Sequence, residues 1–262
     1  MKHALALFCM SVTLLAGGGA VSSEPIQIKC PSPEQFAGLG TTLPATAAAL
    51  RRGDDLVVVA IGSSSTSGVG ASDRSRSYPA RLESELLRRW PGHHIRVINK
   101  GIGGEEAPQM LARFERDVLS HNPDLVIWQA GTNMMLRNEN KDTLLPLLRA
   151  GIRALKANHI DVVLMDPQYA PKVTDVPSHP DFVATIKTAA EEQRIGLFHR
   201  FALMRSWVET KTFGVEDIVS SDKLHMNDVS YTCVARGLAA GIVDAVRATP
   251  VPMAIQHDLS AR

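Results

Sequence analysis

Leu56-Val57-Val58-Val59-Ala60-Ile61-Gly62-Ser63-Ser64-Ser65-Thr66-Ser67-Gly68 changes character within a few residues. The first half is a continuous apolar run rich in β-branched side chains, with no alternation, as in a strand covered on both faces. The second half is a cluster of hydroxyls closed by glycine, which reads as a turn. Parallel sheets bind their ligands in the loops just beyond strand C-termini, so this boundary predicts both a sheet and a place for chemistry.

Working outward, apolar runs and helical stripes alternate along the chain. Strands are predicted at 56–61, 95–99, 125–129, 162–165 and 196–199. Tyr78, Leu82, Leu86 and Trp90 recur every four residues on a helix begun near Ser77 and Pro79. A helix over 107–118 places Ala107, Met110, Leu111, Phe114 and Val118 on one face, with Arg113, Glu115 and Arg116 pointing outward, before Asn122-Pro123-Asp124 ends the unit. Further helices are expected at 142–158 (Leu144, Leu148, Ile152, Leu155), 181–194 and 228–247, the last apolar on nearly every side through Val234, Leu238, Ile242 and Val246. Such alternation implies right-handed crossovers and a parallel sheet with helices on both faces. The expected fold is α/β, a flavodoxin-like three-layer α/β/α sandwich with five strands.

The chain of 262 residues, 45% hydrophobic and 21% charged, suits one well-buried domain. At its start, Lys2 and His3 precede an apolar run over 4–16 and then small residues through Ser23, the pattern of a secretory signal peptide cleaved between Ala20 and Ser23. The run is shorter than the roughly 20 residues of a membrane span, and no second membrane segment follows. The expected organisation is a leader over 1–23, an N-terminal arm over 24–53 with a short helix at 46–52 stopped by Gly53, the main domain over 54–249 and a mobile tail over 250–262. The expected location is periplasmic or secreted. Export would remove Cys9 and leave Cys30 and Cys233, for which a disulfide and two separate thiols are the alternatives. With 28 Lys and Arg against 27 Asp and Glu, and without any basic run, the chain has no electrostatic footprint for nucleic acid.

Candidate functional residues sit where strands end. Ser64 follows the first strand, Asn99-Lys100-Gly101-Ile102-Gly103-Gly104 the second and Gly131-Thr132-Asn133 the third, while Asp222-Lys223-Leu224-His225 precedes the last helix. Each has a plainer reading alone: a Ser/Gly turn or phosphate cradle, and a helix cap. The first lacks the Gly-Lys-Ser/Thr ending of a nucleotide P-loop, and Gly101 to Gly104 lacks dinucleotide-fingerprint spacing. His93, His94, His121, His159 and His179 show no metal-ligand spacing, so neither metal nor cofactor is expected. Asp166 at the end of the fourth strand competes with Asp222 as the acidic partner of His225, which stands three residues from Asp222. The loop from Asp166 to Lys172 contains Tyr169 and Lys172 as candidate substrate contacts or as ordering residues. Glu105-Glu106 either repels anionic substrates or charges a helix N-terminus favourably.

Taken in order, the four blocks resemble the SGNH (GDSL-type) hydrolase superfamily, from Ile61 to His225. The resemblance implies Ser64 as nucleophile, Asp222 and His225 as the remaining triad members, and an oxyanion hole from Ser64, Gly104 and Asn133. Two positions depart from the family pattern: Ser63 stands where an Asp commonly precedes the nucleophile, and Met134 where an Asp commonly follows the asparagine. Met134-Met135-Leu136 either lines an apolar acyl pocket or fills core space. The implied activity is a serine esterase releasing short acyl, acetyl-type groups from small or glycan-linked esters. Polysaccharide O-deacetylation, lysophospholipase or thioesterase activity, and a non-catalytic glycan-binding module on the same fold are the alternatives. Dependence on a histidine base implies an acidic limb in the pH–rate profile. The sequence gives no oligomeric state.

Overall fold

The computed structural model describes residues 38–251 together with Ile28, Cys30, Pro31 and Phe36. The expected leader and the expected tail past Val251 lie outside the described residues.

Five parallel strands, β1 (Leu56–Gly62), β2 (Ile95–Gly101), β3 (Leu125–Gln129), β4 (Asp161–Met165) and β5 (Gly196–Phe198), form one sheet in the order β2-β1-β3-β4-β5. β1, β3 and β4 are buried along their whole lengths, whereas β2, at an edge, is only partly covered. That difference matches their sequences, because the inner strands are continuous apolar runs and β2 is interrupted by Arg96, Asn99 and Lys100. The opposite edge is capped by the N-terminal arm, where the Leu197 N–H donates to the Leu39 carbonyl at 3.1 Å.

Seven helices matter for the layers: α1 (Pro44–Arg52), α2 (Tyr78–Arg89), α3 (Ala107–Ala112), α4 (Leu144–Ala157), α5 (His179–Gln193), α6 (Arg200–Glu209) and α7 (Asp228–Arg247). The connection from β1 to β2 runs one way along the sheet, and those from β2 through β5 run the other. Right-handed crossovers therefore put α2 on one face and α3, α4 and α5 on the other. α7 packs against α2 and α1, and α4 against α5 and α3. The predicted stripe of α2 is the buried one, since Tyr78, Leu82 and Leu86 are fully buried. α7 is long and apolar enough to cross a membrane, with a mean hydropathy of 1.3, but 72% of that stretch is buried inside the fold. It is the central helix of its layer. Cys233 on α7 is joined to Cys30 by a disulfide, with the Cα atoms 5.3 Å apart.

Two elements differ from the sequence reading. The helix expected over 107–118 breaks at Arg113, whose φ of −113° and ψ of 8° interrupt it before a separate turn at Phe114–Asp117. α6 has no counterpart in the reading. It buries Arg200, Phe201, Leu203, Met204 and Trp207 on one face, but an arginine within that face and Ala202 and Val208 outside it blur the apolar stripe in the sequence.

Candidate active site

β1 ends at Gly62, and Ser64 opens the short helical turn Ser64–Ser67. This turn is anchored from the neighbouring strand: buried Gln129, the last residue of β3, accepts from the Ser63 N–H at 2.9 Å and the Ser63 hydroxyl at 3.0 Å. β2 closes on the turn from the other side, so closely that a Cβ on Gly101 would lie 2.1 Å from the Ser67 nitrogen. Only glycine fits there.

The loop before α7 brings His225 to Ser64. The Ser64 Oγ and His225 Nε2 are 2.9 Å apart, and His225 Nδ1 is hydrogen-bonded to the Asp222 carboxylate. The other carboxylate oxygen of Asp222 accepts from the Leu224 and His225 N–H groups, each at 2.9 Å, and from the Ser220 hydroxyl at 3.1 Å. Partial burial raises the Asp222 carboxyl, but these hydrogen bonds, led by that from the His225 ring, outweigh burial and hold it well below the usual carboxylate range. A carboxylate so held keeps its partner ring in one tautomer and orientation.

Gln168, in the loop after β4, ties the two halves together. Its Nε2 donates to the Leu224 carbonyl at 3.1 Å, while its Oε1 accepts from the Ser65 hydroxyl and from Arg200, both at 3.2 Å. The rival carboxylate is engaged elsewhere: Asp166 accepts the Phe201 N–H at 2.8 Å, capping α6, and burial pushes its carboxyl up to about 7. Tyr169 is half-buried and packs its ring edge against Phe201, with centroids 5.4 Å apart.

The loop after β2 passes over Ser64, with the Cβ position of Gly103 4.0 Å from that of Ser64. Gly104 has a φ of +80°, a left-handed conformation in which a side chain is strained, while a Cβ there would meet nothing closer than 3.6 Å. Backbone conformation, not crowding, calls for glycine at 104. Among the described residues, the N–H groups of Ser64 and Gly104 donate to no other protein group. Asn133 begins the turn beyond β3 and directs one amide hydrogen to the Glu105 carbonyl at 2.8 Å, leaving its second donor free of protein partners. Met134 is 3% exposed and Met135 fully buried in the core, so their volume goes to packing and not to an acyl pocket. Arg113, expected to point outward, is instead 6% exposed and lies beneath the loop.

Ser64, Asp222 and His225 thus meet at one sheet edge, with Gly104 and Asn133 following the adjacent strands. Gln129, Gln168 and Arg113 escaped the sequence reading. Only Gln129 left a trace, as a polar residue ending an otherwise apolar strand.

A sequence profile of the non-GDSL lipase-like family matches residues 29–248. The chain belongs to that family. Among relatives of this non-GDSL lipase-like chain, an arylesterase of Vibrio mimicus is 29% identical over 130 residues, 48% of this chain and 62% of that protein. An acetylxylan esterase of Geobacillus stearothermophilus is 32% identical over 102 residues, 35% of this chain and 47% of that protein. The chain covers less than two thirds of the length of either relative. In fold, it is similar to a two-domain esterase active on acetylated mannans, with a TM-score of 0.69 at 20% identity over 85% of this chain and 60% of that one.

Proposed function

We propose that this chain is a serine esterase that releases acetyl or other short acyl groups, and that Ser64 is its nucleophile. The observation that carries the reading is the 2.9 Å contact between Ser64 Oγ and His225 Nε2, with Asp222 bonded to the other ring nitrogen. His225 takes the Ser64 proton as Oγ attacks the acyl carbon, and the negative charge passes to the carbonyl oxygen. The N–H groups of Ser64 and Gly104 and the free amide hydrogen of Asn133 stabilise that charge. The ester C–O bond then breaks, and protonated His225 gives its proton to the leaving alcohol. Water then gives a proton to the same histidine as it attacks the acyl-serine; the acyl–Oγ bond breaks, His225 returns the proton to Ser64 Oγ, and the acid leaves. Asp222 keeps the imidazole oriented and supports its positive charge.

Acetylated glycans are the favoured substrates. The relatives include an acetylxylan esterase; a cleft of about 420 Å³ near the Ser64 turn has a mixed lining of Ser67, Arg74, Ser77, Ala80, Glu83, Val97, Asn99 and Gly101, and neither Ser64 nor His225 lines it. A second reading, aryl esters, draws on the Vibrio mimicus relative. The disulfide and the leader pattern favour a periplasmic or secreted location.

The test combines fluorophosphonate labelling with acetate release from acetylated xylan and hydrolysis of p-nitrophenyl acetate. Labelling at Ser64, with turnover lost in Ser64→Ala at an unchanged melting temperature, is the expected result. Full activity in Ser64→Ala would refute the nucleophile, and glycan binding without turnover would favour the binding-module alternative.

A further inference from the structure

Arg113 occupies an expensive position: its guanidinium is withdrawn from water below the loop that follows β2. Its Nη2 donates to the Lys100 carbonyl at 2.8 Å and approaches the Gly62 carbonyl at 3.4 Å. Its Nε donates to the Glu105 carboxylate at 2.8 Å, and its Nη1 to Asp117 at 3.1 Å. Two carboxylates thus compensate the charge, and two strand ends share the remaining donors. Three of these four contacts, those to Gly62, Lys100 and Glu105, lead to a donor of the proposed oxyanion hole. Gly62 ends β1 two residues before Ser64. Lys100 is the next-to-last residue of β2, from which the chain runs into Gly104. Glu105 follows Gly104 and holds the Asn133 amide through its own carbonyl. The helix breaks at Arg113, where this side chain turns inward.

We propose that Arg113 is a positioning residue that locks the Ser64 turn, the Gly104 loop and the Asn133 amide into one oxyanion-binding geometry. The proposal rests on the esterase reading above. A planar fork suits this task because one rigid group with five donors can span two strand ends and two carboxylates, which an ammonium cannot. Transition-state stabilisation of this kind depends on donors being preorganised, so loosening them lowers turnover more than ground-state binding.

The experiment compares wild type, Arg113→Met, Asn133→Ala and the double variant on p-nitrophenyl acetate, with circular dichroism and thermal unfolding as controls for folding. Arg113→Met is expected to lower kcat at least about tenfold, with KM within about twofold, and to leave the acidic limb of the pH profile in place because Asp222 and His225 are untouched. The loss in the double variant should fall well short of the product of the single losses, since both changes act on one constellation. A folded Arg113→Met enzyme with wild-type kcat, or losses that multiply, would overturn the proposal. If Arg113→Met fails to fold, Glu105→Gln decides: a kcat-selective loss supports the assignment and an unchanged kcat sinks it. Absence of turnover and of Ser64 labelling in the wild type itself would refute the esterase reading, a result distinct from either.

Discussion

A serine hydroxyl is a weak nucleophile at neutral pH, so the chemistry proposed for Ser64 depends on groups brought to it from elsewhere in the chain. His225 comes from 161 residues away, and the oxyanion donors from two further loops. Asn133 offers the most direct check at this scale, because one of its amide hydrogens is fixed by Glu105 and the other is left for substrate. Asn133→Ala should reduce kcat by about 10²- to 10³-fold with little change in KM, as loss of one preorganised donor does elsewhere. Steady-state kinetics on p-nitrophenyl acetate would measure it, and an unchanged kcat would remove Asn133 from the oxyanion hole. Residues of this kind were legible in the sequence because each stands at a recognisable chain position: just past an apolar strand, or three residues from its partner. Gln168 was not, since its role consists of hydrogen bonds to Ser65 and Leu224, 103 and 56 residues distant, and no local pattern encodes such bonds.

Elements are placed here by close approach as much as by apolar burial. The end of β2 meets the Ser64 turn backbone to backbone, and a Cβ on Gly101 would lie 2.1 Å from the Ser67 nitrogen and 2.5 Å from the Thr66 carbonyl carbon. Neither atom can move without shifting the turn that carries Ser64. Gly101→Ala is therefore expected to destabilise the fold by about 1–3 kcal/mol and to slow fluorophosphonate labelling of Ser64. Thermal melts and labelling rates test this together, and wild-type values in both would show that β2 and the turn are free to separate. The strands and most helices were readable because a buried strand and a one-sided helix each impose a period on the sequence. α6 imposed only a blurred one, because Arg200 stands in its buried face and Ala202 and Val208 lie outside it, and α3 misled because a continuous stripe passed through the break at Arg113.

At the scale of the whole molecule, the site is bought with buried polar groups, and one of them should mark the stability curve. Burial moves the Asp166 carboxyl from 3.8 to about 7. Below about pH 4, Asp166 is protonated in both folded and unfolded chains and contributes no pH dependence. Between about pH 4 and 7 the unfolded chain releases this proton while the folded chain retains it, so the folded state loses stability as pH rises through that window. Asp166→Asn keeps an oxygen to accept the Phe201 N–H and should flatten this part of the curve. Urea unfolding across the window would decide, and an identical slope in the variant would mean that Asp166 titrates alike in both states.

The amino-acid sequence by itself determined the layered architecture and set hydroxyl- and glycine-rich turns at the strand ends, because burial periodicity and strand-end position are local properties; the family resemblance singled out Ser64, Gly104, Asn133, Asp222 and His225 among them. The tertiary structure added what spacing could not: that Asp166 is turned away to the Phe201 N–H, that Met134 belongs to the core, and that Arg113 points inward. Those outcomes depend on which distant backbone groups come within hydrogen-bonding reach once the sheet has closed, and a buried guanidinium is tolerated only where such partners wait for it.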